Sequence, residues 1–322
     1  MNFVTNTISS ASRWNARKQP LNRLGSILWK IVRAVLVLGI CYIVLYPLIA
    51  KVSSAFMGRQ DVFDASVVWV PRNATLQNFK DAYYLLGYKQ AFFNSLMLSI
   101  SSAVLQALSC ALVGYGFARL KFKGSNILFS LVIFTIVIPP QTIMIPTYLH
   151  YRFFDVLGIY KLFTGKEGID ILGTLWPFLL SSVTGMGIKA GLYIFIFRQF
   201  FRGFPKELEE AAYVDGMGVF GTFVRIMLPN ALTVMVTVFL FAFVWQWNDS
   251  YYANLYLGGS ARVLSAQLAY LPGNITRITR DPSYTSLIIN AGMLLVIVPV
   301  FLLYLFAQRY FVEGIERTGI VG

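Results

Sequence analysis

Residues 205–229 open with Pro205-Lys206-Glu207-Leu208-Glu209-Glu210-Ala211-Ala212-Tyr213-Val214-Asp215-Gly216, run on through Met217 to Arg225, and close on Ile226-Met227-Leu228-Pro229. This polar passage lies between two long apolar stretches. Pro205 suits the first turn of a helix, where its missing N–H would be unpaired anyway, and Gly216 suits the position just past the end. The two bracket a predicted helix of roughly ten residues. Glu207, Glu209 and Glu210 fall in its first half, where carboxylates complement the positive end of the helix dipole. Leu208, Ala211 and Ala212 stand at i, i+3 and i+4 and predict a narrow apolar face. Two alanines leave that face thin enough to enter a cleft on another protein. Gly216 lets the chain reverse into a second helix over about 218–228, and Pro229 starts the next apolar stretch. Helix logic alone allows a second reading, an amphipathic loop lying on a membrane surface.

The rest of the chain sets the context for that loop. Of 322 residues, 57% are hydrophobic and 13% charged, against about a quarter charged in soluble domains. Apolar runs of about 20 residues, enough to cross about 30 Å of hydrocarbon, recur along it. The composition therefore predicts an all-α membrane protein. The net charge of +13 does not point to nucleic acid, because the basic residues sit in short segments beside the apolar runs and no basic face interleaves with aromatics. Cys41 and Cys110 both lie inside apolar runs, which leaves no disulfide framework or metal cluster.

Six spans are predicted, over about 32–56, 92–117, 127–149, 171–197, 230–247 and 286–308. They lie in a membrane domain of residues 32–310, preceded by a basic tail over 1–31 and followed by a tail over 311–322, with the polar loop occupying 200–229. Arg13, Arg17, Lys18, Arg23, Lys30 and Arg33 precede the first span without an acid, and Arg119, Lys121 and Lys123 follow the second in the same way. Both segments are predicted to be cytoplasmic, which puts both termini inside. The segments 58–90, 150–170 and 248–285 mix both signs of charge and are predicted outside. The first tail is open to two readings, a loosely ordered positive-inside segment and an interfacial helix on anionic lipid.

The spacing Glu210-Ala211-Ala212, three residues, Gly216, nine residues, Ile226-x-Leu228-Pro229 resembles the cytoplasmic loop of permease subunits from binding-protein-dependent ABC importers. Further stretches, in order, resemble the carbohydrate-type, maltose-transporter-like members from about residue 25 to the end. They are Phe93-Asn94-Ser95-Leu96, Tyr115-Gly116-Phe117-Ala118-Arg119-Leu120, Ile138-Pro139-Pro140-Gln141 with Ile145-Pro146, Arg198-Gln199-Phe200-Phe201, Trp247-Asn248-Asp249 and Phe311-Val312-Glu313-Gly314. The segment from Lys161 to Asp170 looks longer than the family usually has, and Ile315 to Gly322 match its usual tail only loosely.

The resemblance implies a type I ABC importer permease fold in a bacterial cytoplasmic membrane. It assigns Glu210, Ala211, Ala212, Asp215, Gly216, Ile226, Leu228 and Pro229 to docking on a separate ATPase. It also implies a second, similar permease chain (a heterodimer), two ATP-binding subunits, an extracytoplasmic solute-binding protein, and ATP and Mg held by the partner ATPase. The chain's nearest approach to a phosphate-binding loop, Gly165-Lys166, has Glu167 where a Ser or Thr belongs. ATP is thus assigned to a partner, and the chain has no catalytic residues and no cofactor of its own.

Several residues are candidates for the substrate path. Pro139, Pro140 and Pro146 in one span should break its hydrogen-bond ladder, which a membrane tolerates where freed carbonyls face protein or a wet cavity. Pro140 and Gln141 are therefore path candidates, with a simple packing kink as the other reading. Trp245, Trp247 and Asn248, in a cluster with Gln246, Asp249, Tyr251 and Tyr252, offer flat rings and amides that suit sugars; an aromatic belt at the membrane boundary accounts for the same residues. Lys189, among Gly185, Gly187 and Gly191, needs a partner, water or a carbonyl cage to lie within a span. It is satisfied either by carbonyls of the glycine-exposed backbone or a neighbouring subunit, or by an acidic saccharide. Leu271-Pro272-Gly273-Asn274 is read either as a turn or, by the resemblance, as a contact for the binding protein.

These residues predict the permease subunit of an ATP-driven sugar importer. An amino-acid or peptide permease shares the loop and is the nearest rival. An ion-coupled secondary transporter would place carboxylates or histidines in the spans, where this chain has almost none, and a membrane-embedded enzyme would need convergent catalytic groups.

Overall fold

The computed structural model describes the backbone of residues 4–319, apart from 68, 157, 261, 278 and 280, and side chains from 26 to 308. Among the described residues the chain is helix and loop, with one isolated antiparallel pairing between Phe154 and Ile169. The chain divides into two compact units with the boundary after Thr75.

The first unit is α1, Val4–Phe56, and the loop that follows it. Residues Ser26–Phe56 are long and apolar enough to cross a membrane, and α1 extends back through the segment read as a tail. The loop is tied to itself by Asp61, whose carboxylate accepts from the backbone N–H of Asn73 at 2.9 Å and from its side-chain amide at 2.8 Å. Ser53 donates to the Trp69 carbonyl at 2.7 Å, and the Tyr46 and Trp69 rings meet edge to face at 5.1 Å.

The second unit is built around α3, Tyr88–Arg119, which follows the short α2, Gln77–Leu85. Then come α4, Ser125–Val137, and α5, Met144–Arg152, joined by a 3-10 turn over Pro140–Ile143. After α6, Ile159–Thr164, stand α7, Trp176–Val183, and α8, Ala190–Gly203. The polar loop forms α9, Glu207–Val214, and α10, Val219–Thr222, followed by a π-helical turn over Phe223–Met227 and the single turn α11, Leu228–Asn230. The remainder is α12, Leu232–Asn248, α13, Tyr251–Leu257, α14, Leu264–Thr276, and α15, Pro282–Gly319. Residues 320–322 of the predicted carboxyl-terminal tail lie outside the described residues, as do the side chains of Phe311-Val312-Glu313-Gly314.

α3 packs against α7, α8 and α12 along a face of small buried residues: Ala91, Ala103, Ala107, Cys110, Ala111 and Gly114. Small residues let membrane helices approach closely where lipid offers no hydrophobic drive to pair them. At Gly114 the approach is absolute, since a Cβ there would lie 2.6 Å from the Cβ of Phe197. Tyr193, Phe197, Phe201, Met227, Val238 and Trp247 fill the same core.

Three helical segments are long and apolar enough to cross alone: Ser26–Phe56, Tyr88–Arg119 and Pro282–Gln308. The segment predicted as a third span, 127–149, does not run straight. Ser125–Val137 and Pro140–Arg152 meet at 107°, because Pro139 and Pro140 remove two consecutive N–H donors from the ladder. The fourth, 171–197, is likewise two helices, with α7 closed by Gly185 at φ +68° and six residues between the end of α7 and the start of α8. The fifth starts with a bend of 79° between Val219–Asn230 and Leu232–Asn248.

The end of α4 meets the start of α8. A Cβ on Gly191, in the first turn of α8, would lie 2.5 Å from Thr135 Oγ1 and 2.9 Å from the Val132 carbonyl in the last turns of α4. The chain leaves α4 two residues beyond Thr135. The break between α7 and α8 is also held by α3: Ser109 donates to the Ser182 carbonyl at 2.7 Å, and the Gln106 side chain packs on Gly187.

α15 contains Pro299, which leaves the carbonyl of Leu295 without its helical donor. Tyr88 fills that place, donating its hydroxyl to Leu295 at 3.0 Å. Trp247 Nε1 donates to the next carbonyl, Val296, at 3.1 Å.

Candidate functional site

The polar loop is pinned to the core through a residue that sequence reasoning passed over. Glu209 is 6% exposed; its carboxylate accepts from Tyr115 Oη at 2.7 Å and lies 3.2 Å from Arg119 Nε. Arg119 also donates to the carbonyl of Phe204, where α8 hands over to the loop. Tyr115 and Arg119 stand at i and i+4 on α3 and so face one way. Tyr115 in turn packs on Phe201 at 5.6 Å and on Phe223 at 5.1 Å. One end of α3 thereby grips α8, α9 and the π-helical turn together. The signal was present in the Tyr115 and Arg119 spacing and the surplus of three glutamates in one turn of α9, but the glutamates were assigned to the helix dipole as a set.

This grip fixes the rotation of α9 and corrects its predicted apolar face. Ala212, three residues after Glu209, turns inward with it and is 2% exposed, whereas Leu208 and Ala211 face outward. Glu210, Ala211, Asp215 and Gly216 are exposed, so the docking candidates on α9 form one outward patch without Ala212. The helix ends as predicted at Gly216, φ +80°. The Met217 N–H donates to Ala212 at 2.9 Å and the Gly216 N–H to Tyr213 at 3.0 Å, the paired bonds by which a left-handed glycine closes a helix. Ile226 and Leu228 pack against the core, so they shape the elbow from inside, and Pro229 is exposed at its bend.

The path candidates sort into two groups. Trp247 is 1% exposed, its ring stacks on Phe243 at 5.7 Å and meets Phe92 edge-on at 5.9 Å, and its N–H is taken by Val296. It is a core residue, which corrects its assignment to the path. Trp245 and Asn248, one turn apart, are exposed, as are Pro140 and Gln141 at the bend after α4. Lys189 stands at the break before α8 with its Nζ 4.8 Å from the Trp245 ring centroid, close enough for cation–π attraction.

At the other end of the helices, Leu271-Pro272-Gly273-Asn274 belongs to α14 rather than to a turn. Leu271 is fully buried against Gly292, where a Cβ would come 2.7 Å from its Cδ2. That contact holds the segment helical despite Pro272 and removes Leu271 from any contact surface. Asn274 instead lines an open cleft of about 670 Å³ with Tyr83, Tyr84, Tyr88, Arg262 and Arg277. Asp249, just past α12, caps α13 by accepting from the N–H groups of Tyr252 at 3.2 Å and Ala253 at 3.1 Å. Burial pushes its carboxyl up from 3.8 to about 6, against the pull of those hydrogen bonds.

Interrupted apolar helices around a close-packed central helix, with one polar elbow clamped to it, define an all-helical membrane protein. The chain belongs to the binding-protein-dependent transport system inner membrane component family, whose profile matches residues 91–316. It is 28% identical over 320 residues to the osmoprotective compounds uptake permease GgtD of Synechocystis, covering 97% of this chain and 98% of that one. Over 286 residues it is 28% identical to the arabinooligosaccharides transport permease AraQ of Halalkalibacterium halodurans, covering 88% and 93%. A bacterial ABC transporter for import of the acidic polysaccharide alginate shares the fold, with a TM-score of 0.69 at 20% identity over 88% of this chain and 96% of that one.

Proposed function

We propose that the chain is one permease half of an ATP-driven importer of sugars or oligosaccharides. In this reading it makes six crossings with both termini in the cytoplasm, pairs with a second, similar permease, and works with two ATP-binding subunits and an external solute-binding protein. ATP and Mg are held by the ATP-binding subunits. Relatives named for arabinooligosaccharides and for alpha-glucosides support a saccharide cargo.

The observation that carries the reading is the clamp at Glu209. A partner that seats on the outward patch of α9 acts on a helix joined to α3 by a buried ion pair and a tyrosine hydrogen bond. Movement of α9 is therefore delivered to the central helix rather than absorbed in a flexible loop. The ATPase shifts the permease between states only if its contacts with α9 differ between them, and a rigid joint supplies that difference.

The test places Glu210→Lys on the outward patch, away from the clamp. The expected result is normal membrane insertion with loss of ATPase co-purification, or retention of the ATPase with substrate-stimulated ATP turnover cut at least tenfold. Wild-type association and turnover in this variant would overturn the assignment.

A further inference from the structure

We propose that Lys189 and Trp245 form a subsite for an acidic sugar unit, such as a uronate, on the path through the membrane. This deepens the saccharide-importer reading and rests on it. Lys189 is held in a left-handed conformation, φ +62° and ψ 18°, and among the described residues it is the one non-glycine with positive φ. Nearby Gly185 takes the same region of backbone space at φ +68°, which is where glycine is the relaxed choice. Side-chain chemistry at 189 is thus kept against a backbone preference, and strain of this kind gathers at functional positions.

The ammonium has no carboxylate beside it. Among the described residues the side-chain ion pairs are Arg72–Asp64 and Arg119–Glu209, neither of which involves it. On the six-crossing reading Lys189 falls within the fourth span, where an unpaired cation marks a functional position by default. The Trp245 indole, 4.8 Å from Nζ, steadies the charge without neutralising it. Trp245 is 47% exposed, so part of its ring remains open to a sugar's apolar face, and the exposed amide of Asn248 lies one turn further on.

The surroundings suit a wet path. The turn at Pro140–Ile143 and the break before α8 are irregular backbone, and on the six-crossing reading both fall within spans, where such backbone is tolerated only against protein or water. Gly191, two residues from Lys189, packs directly on α4 just before its break. A cation, an aromatic face and an amide beside interrupted helices form the set that a carboxylated pyranose satisfies: the carboxylate supplies the missing counter-ion and the ring supplies the stack.

The test uses the purified permease assembly without binding protein, with tri-galacturonate and its uncharged methyl ester as probes, read by tryptophan quenching and by calorimetry. Wild type is expected to bind the acid at least tenfold more tightly than the ester. Lys189→Met should bring the two within twofold, Lys189→Arg should keep the preference, and Trp245→Leu should weaken both ligands. Equal wild-type affinities, no binding of either probe, or an undiminished preference in Lys189→Met would overturn the subsite. So would Lys189→Met separating the permease chains on size exclusion, because the counter-ion would then belong to the partner permease. Import of neutral sugars with an indifferent Lys189 ends the subsite and spares the importer reading, whereas an importer that moves peptides and no saccharide ends both.

Discussion

Glu209 and Arg119 form a buried ion pair between the elbow helix and the central helix of the bundle, each side chain less than a tenth exposed. Removing one partner of such a pair leaves the other charge buried and unmatched, at a cost of about 3–5 kcal/mol. Glu209→Ala should lower the melting temperature of the detergent-purified protein and uncouple ATP turnover from transport. A Glu209→Met, Arg119→Met double variant should recover much of the melting temperature but not the coupling. Full recovery of both would show that the clamp is only structural.

Tyr88 and Pro299 are predicted to be energetically coupled although they do not react with anything. Tyr88→Phe strands the part-buried Leu295 carbonyl, which costs about 1 kcal/mol, the low end for an unmade hydrogen bond. Pro299→Ala restores the helix's own donor to that carbonyl. In the Pro299→Ala background Tyr88→Phe should therefore cost measurably less, and thermal unfolding of the four proteins checks it.

Gly191 cannot gain a side chain. Its Cβ would meet both Thr135 Oγ1 and the Val132 carbonyl, and overpacking of this kind costs about 1–3 kcal/mol. Gly191→Ala should reduce folded yield, and adding Thr135→Ala should not rescue it, because the backbone carbonyl remains in place. Size-exclusion profiles of the two variants decide the point.

Asp249 gives a pH signature. Its folded pKa of about 6 stands above the ordinary 3.8, so between those values the folded state holds its proton more tightly than the unfolded one. Stability from this group is greatest below about pH 4, falls as pH rises to about 6, and is level above that. Asp249→Asn keeps a capping acceptor for α13 and removes the titration. Its melting temperature should match wild type near pH 4, exceed it above pH 6, and lack the wild-type decline between them.

Much of this architecture was legible in the chain. Apolar run length marked the three long crossing helices, Ser26–Phe56, Tyr88–Arg119 and Pro282–Gln308, Pro139 and Pro140 marked the bend after α4, and Pro205 and Gly216 bracketed α9, because each rests on a local rule. What escaped depends on which way a helix is turned. Ala212 and Ala211 are neighbours of identical chemistry, and only the distant Arg119 decides which is buried. Trp245 and Trp247 read alike in sequence, yet Phe92, Phe243 and Val296 claim one and leave the other open. Leu271-Pro272-Gly273-Asn274 allows a turn or a partner contact by sequence, and the helix and the burial of Leu271 against Gly292 come from packing that no local signal carries.

Because α4 stops and α8 starts at the same contact between Thr135 and Gly191, the bundle has a pre-cut seam. Pivoting α5 and α7 about that line melts no turn of helix, since the bonds a straight rod would have to break were never formed there. What would resist such a pivot is the grip of α3, through the Ser109 bond to Ser182 and the Gln106 contact with Gly187.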